Sequence, residues 1–276
     1  MRLLVLCTFA ALLGGCVNLQ AVQEFGQISS LSAGYTRLSD DYARSPLINK
    51  TFTLEAESQQ RAQLDAEYQQ RLPQAARLQV YHKVVSHYMA ALGELAGDQI
   101  PTGAEEVEGL VDAAVEAHHL DAARAAPAKA IGKLLADAAL NGYRHRELKK
   151  LIAEGNAPIQ AVLAALVQSM QAFDASLKIE RASANRYYRT LHALARENGR
   201  EPVAAEQAWA SLNAANALFD EREKAIPLYI ESLKRIGIAH RALYDGRDQL
   251  DHQQLLADLK RYTRQIRAAY NAVRAD

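Results

Sequence analysis

The residues able to do chemistry are few and scattered. Of the eight histidines, His118 and His119 are neighbours, so on a helix they point about 100° apart and do not share a ligand site. Glu116 and His119 form a Glu-x-x-His pair. A two-metal carboxylate site in a helical bundle needs two such pairs and two further Glu on facing helices, and no second Glu-x-x-His occurs. His82 and His87 are five apart and fall on different faces, and His145, His192, His240 and His252 are isolated. No phosphate-binding Gly-x-x-x-x-Gly-Lys loop, Gly-x-Ser-x-Gly or His-Glu-x-x-His is present. The expectation is a protein without catalytic residues, metal or cofactor, and not an enzyme.

The two cysteines, Cys7 and Cys16, sit at the N-terminus. Met1-Arg2 is followed by an apolar run from Leu3 to Leu13 and then by Leu13-Gly14-Gly15-Cys16. A charged start, a short apolar core and a small-residue cleavage site form a secretory signal too short to span a membrane permanently. The Leu-Gly-Gly-Cys ending resembles the lipobox of bacterial lipoproteins. The resemblance implies cleavage before Cys16, a diacylglycerol on its sulfur and an acylated amine. Residues 1–15 are then the signal peptide and residues 16–276 one elongated domain. Two or three acyl chains anchor stably where one is marginal. Val17, not Asp, follows the Cys, which in enteric bacteria points to the outer membrane, facing the periplasm. No thiol would remain for a disulfide, although the compartment permits them.

Removal of the signal takes Arg2 with it and leaves 31 Lys+Arg against 32 Asp+Glu. A nearly neutral chain is not expected to bind nucleic acid. Charge is nevertheless uneven. Residues 84–123 hold eight acids and no Lys or Arg. The C-terminal stretch carries Lys260, Arg261, Arg264 and Arg267, which could contact an anionic surface or pair with the acidic segment of the same chain.

The elements that must carry these residues are helices. Ile159, Leu163, Leu166, Met170, Phe173, Leu177, Ala184, Tyr187, Leu191 and Leu194 recur at steps of three and four, interrupted once by Glu180. This is one face of a long helix over 156–198, roughly 60 Å in length. Similar spacing predicts helices over 17–44, 51–96 with a kink or break at Pro73, about 103–120 from a Thr102–Glu105 capping box, 127–152, 202–244 with a kink at Pro227, and 248–275. Ser45-Pro46 is expected to end the first helix, Gly155-Asn156-Ala157-Pro158 to form a tight turn into the longest, and Asn141-Gly142 to be a weak point inside a helix. The seams are wider than a two-stranded stripe, which predicts an all-α fold, an elongated antiparallel bundle of long helices. The apolar stretch 157–170 is too short to span and reads as bundle core. Glu180, Asn216 and His240 interrupt seams. Local helix rotation toward solvent is expected at Glu180 and His240, with burial equally open for Asn216.

The run from Tyr81 to Met89 and on through Leu92-Gly93-Glu94-Leu95-Ala96-Gly97-Asp98 resembles a segment of helical lipoproteins of Gram-negative bacteria that have no assigned activity. The resemblance implies class and location only. The function expected is a lipid-anchored, non-enzymatic scaffold that binds an unidentified envelope protein, with a lipid-surface-binding bundle as the alternative and an enzyme without a recognisable motif as the second.

Overall fold

A computed structural model describes residues 19–141, 143–197 and 201–274. The signal segment and Cys16 lie outside the described residues. Eight helices occur in the order α1 (Gln20–Ala33), α2 (Arg37–Thr51), α3 (Ser58–Ala96), α4 (Ala104–Glu116), α5 (Ala122–Leu140), α6 (Arg144–Glu197), α7 (Pro202–Asp245) and α8 (Gln253–Arg274). No strand occurs among the described residues. The protein is an all-α antiparallel bundle of long helices. The 54-residue α6 is about 80 Å long and sets the length of the molecule. It packs against α7, α5, α3 and α2, while α1 sits between α3 and α8 and also touches α7.

The helix boundaries correct four expectations, each for a physical reason. The first helix is broken at residues 34–36, so that the Ala33 carbonyl is free to accept from His82. The chain then runs helically through Pro46. Proline has no N–H to give the Tyr42 carbonyl one turn back, and the Arg71 guanidinium donates to that carbonyl instead, at 3.0 Å. Gly155-Asn156-Ala157-Pro158 is not a turn, because α6 continues through it. Asn141, expected inside a helix, caps the end of α5.

The start near residue 103 is as expected, but Thr102 does not cap it. Its hydroxyl and backbone N–H both donate to the Glu94 carboxylate at 2.9 Å. Gly103 takes the cap position at φ 82°, and a Cβ there would lie 2.2 Å from His87 Nδ1. Only glycine meets both demands. The α4 helix then stops at Glu116, short of the expected Leu120.

Buried apolar residues form one contiguous cluster from Leu19 to Val273. An 18-residue window of α6 is apolar and long enough to cross a membrane. Its apolar side accounts for that composition: Ile159, Val162, Leu163, Leu166 and Met170 are all buried inside the bundle. The closest helix crossing is α1 on α3. A Cβ on Gly26 would fall 2.5 Å from the Gly93 backbone nitrogen and 2.6 Å from the Met89 carbonyl oxygen. Backbone cannot swing away as a side chain can, so α1 is held at a distance that only glycine allows.

Gly26→Ala is therefore expected to lower the melting temperature sharply by pushing α1 off α3. Gly109→Ala meets nothing within 4 Å on α4 and is expected to leave stability unchanged or raise it by up to about 1 kcal/mol through helix propensity. Equal effects in thermal melts of the two variants would show that the crossing is not tight.

Candidate functional site

The sequence-marked basic residues lie on the exposed side of α8. Lys260, Arg264 and Arg267 are exposed and have no ion pair among the described residues. Arg261 pairs with Asp258 at 3.0 Å and stacks on Tyr262. Self-pairing with the acidic segment does not occur. The α8 helix packs on α1 and α7, and the acids pair elsewhere: Glu106 with Lys83 at 3.0 Å and His87 at 3.2 Å, Asp112 with Lys129 at 2.8 Å. Of the Glu116–His119 region, His118 turns its Nδ1 to the Glu116 carbonyl at 2.9 Å. No three potential metal ligands converge among the described residues.

The chemically distinctive groups are in the core, and they include two histidines that the sequence left isolated. His240 was expected to reach solvent; it is wholly buried. Its Nε2 lies 2.7 Å from Tyr88 Oη, and Tyr88 donates its hydroxyl proton to the Leu151 carbonyl at 2.9 Å. Its Nδ1 lies 3.3 Å from Asn156 Oδ1. Gly155 makes the arrangement possible, because a Cβ there would lie 2.4 Å from Tyr88 Oη. The residues read as a turn are thus a station inside α6 where α3 and α7 plug in.

The second station joins α1, α2, α3 and α7. His82 Nδ1–H donates to the Ala33 carbonyl at 2.8 Å, and Tyr229 Oη lies 2.9 Å from the same nitrogen. Its Nε2 accepts from the Ser39 hydroxyl at 2.7 Å. His82 is separated from Leu78, Val85 and Met89 by four, three and seven residues, so it occupies a seam position. That spacing is the signal that marks it. Burial lowers both histidines, His82 to about 4 and His240 to about 3, and raises the Tyr88 and Tyr229 phenols above their ordinary range. All four groups are neutral near pH 7 and none is open to a substrate.

Glu180 was also expected at the surface and is only 3% exposed. Its Oε2 has no hydrogen-bond partner. Burial lifts its carboxyl to about 8 despite the opposing pull of Arg71 and Arg222. Those cations are engaged by others: Arg71 by Glu67, Ser176 and the Tyr42 ring, and Arg222 by Asp41. Asn216 is half-buried and exchanges amide hydrogen bonds with Asn185 across α6 and α7.

Open apolar grooves lie along the α6–α7 pair. The largest, about 500 Å³, runs between Leu163 and Val167 of α6 and Leu233 and Ile238 of α7, with Lys234 and Arg241 at its edge. Gln160 donates to the Gly237 carbonyl at 2.8 Å beneath it. Sequence spacing did not mark these grooves, since they exist only where two helices leave a channel.

Two outcomes follow from the core. Tyr88→Phe strands the Leu151 carbonyl and an imidazole nitrogen, and it is expected to cost about 1–3 kcal/mol in chemical denaturation. The Glu180 carboxyl is raised, so the unfolded chain ionises first and stability falls as pH rises from about 4.5 to about 8. Glu180→Gln is expected to remove that slope, which parallel melts at pH 5 and pH 8 would measure. The histidines act oppositely: stability is full above about 6.5 and is lost as pH falls toward about 4.

No family model, curated protein or solved structure matches this chain.

Proposed function

We propose that the protein is a non-enzymatic scaffold of the bacterial cell envelope, lipid-anchored through Cys16 to the outer membrane, that docks a protein partner on its α6–α7 surface. The observation carrying this reading is the contrast between core and surface. Four groups with strongly shifted ionisation, His82, Tyr88, Tyr229 and His240, are enclosed and occupied by one another and by backbone carbonyls, and Glu180 is enclosed as well. The α6–α7 surface instead presents open apolar channels, with Ile238 47% exposed at the rim of the largest. Leu19, only 6% exposed, is already packed into the core three residues after Cys16. An acyl anchor would therefore hold the body within about 10 Å of the membrane surface.

The second reading is a bundle that lies against anionic lipid. It is favoured by Lys260, Arg264 and Arg267, three exposed cations on one face of α8 with no ion pair among the described residues.

Cys16→Ser is expected to move the protein from the membrane fraction to the soluble periplasmic fraction. Retention in membranes after a high-salt wash would defeat the anchor. A photo-crosslinker at Ile238 in intact cells is expected to capture one discrete envelope protein. Captures that are diffuse, or identical to those from an exposed position such as Lys129, would count against the docking surface. Salt-sensitive binding of the Cys16→Ser chain to phosphatidylglycerol vesicles, lost on reversing Lys260, Arg264 and Arg267 to Glu, would favour the second reading.

A further inference from the structure

The outer end of the α6–α7 hairpin is the least covered part of the molecule. No α6 residue beyond Ala184 is buried. Phe52 reaches the hairpin at Tyr188 and Phe219, with ring centroids at 5.8 and 6.1 Å. Beyond that level no ring contact or ion pair from another helix reaches the hairpin among the described residues. Two grooves of about 380 and 270 Å³ run along one face and join at Tyr188 and Ser211, which line both. The floor on α7 is small: Ala204, Ala208, Ser211 and Ala214. Leu194 and Leu218 line the grooves and are 52% and 56% exposed.

Charge divides between the two helices. From Arg181 to Arg196, α6 has four Arg and no acid. From Glu201 to Glu221, α7 has four acids and no Lys or Arg. Nearer the body these charges are satisfied within the chain: Arg181 pairs with Asp220 and Glu223, and Glu221 with Arg37. Toward the tip Arg186, Arg189 and Arg196 on α6, and Glu201 and Glu206 on α7, have no ion pair among the described residues.

We propose that this tip binds a second copy of the same chain, the two hairpins lying side by side about a two-fold axis along their length. Such an axis places each basic α6 against the partner's acidic α7. Every neighbour in the resulting four-helix bundle is then antiparallel and opposite in charge. The levels agree. Arg181 meets Asp220, and Tyr188 and Ser211 share a groove, so residues whose numbers sum to about 400 lie at one height. Leu194 of one copy then arrives beside Ala204 and Ala208 of the other, a large side chain over a small floor. Arg196 arrives within one turn of Glu201 and Glu206. A shared axis along the hairpin also leaves both chains pointing the same way. The inference does not depend on the anchor at Cys16.

The test uses the chain as cells make it, in density-matched detergent, followed by sedimentation velocity. The expected particle has twice the mass of the single chain, with association weakened about tenfold between 50 and 500 mM salt. Leu194→Glu is expected to give a monomer with unchanged circular dichroism and melting temperature. Leu140→Glu, at the C-terminal end of α5 and 87% exposed in the native protein, is expected to leave the dimer intact. Differently tagged chains carrying Leu194→Cys and Ala204→Cys should form a mixed disulfide. A wild-type monomer at 100 µM, or a dimer that survives Leu194→Glu, would overturn the proposal.

Discussion

The bundle depends on one requirement: every carbonyl released by an irregularity in a buried helix must find a donor. A buried carbonyl without a partner costs about as much as a lost hydrogen bond. Here the donors come from neighbouring helices. The Ala33 carbonyl at the α1 break takes His82 from α3 and Tyr229 from α7. The Tyr42 carbonyl below Pro46 takes Arg71 from α3. The Leu151 carbonyl, inside the unbroken α6, takes Tyr88, also from α3. These three carbonyls are keyed joints, and α3 supplies a donor to each.

These joints set register in a fold that would otherwise slide. An apolar seam repeats every three or four residues and is satisfied nearly as well after a shift of one turn. A hydrogen bond from Tyr88 to Leu151, with Gly155 leaving room for the ring, is not. The Gly26–Gly93 crossing adds a second constraint by bringing two backbones into contact. Burying neutral His and Tyr supplies donors and acceptors without burying charge, which is far costlier. Glu180 follows the same rule: with a carboxyl raised to about 8 it is held neutral at pH 7.

The two ends of the hairpin differ in kind. The end near Leu19 is deeply packed, with α3 and α5 against α6 and with α1 and α8 against α7. The far end is a bare pair of helices, one basic and one acidic, with Leu194 and Val203 open to solvent. One end is densely packed and the other leaves apolar side chains uncovered. The proposed scaffold role rests on that difference.

Helix content, the α6 and α7 seams and the basic side of α8 were legible in the residues, because each depends on local spacing. Leu163, Met170, Phe173 and Leu177 are buried as their period requires. The proposed leader ending at Cys16 rests on local pattern alone. What spacing could not decide was the meaning of its interruptions. Pro46 and Gly155-Asn156-Ala157-Pro158 carry the residue types of helix ends, and His240 and Glu180 those of a surface. Tertiary contacts reversed all four: side chains from α3 reach the Tyr42 and Leu151 carbonyls and the His240 ring, and burial between helices encloses Glu180, in ways no neighbour in sequence encodes. The sequence by itself determined that this chain is a set of long amphipathic helices; only their assembly decided which breaks are real, which polar groups are buried, and which apolar faces remain uncovered.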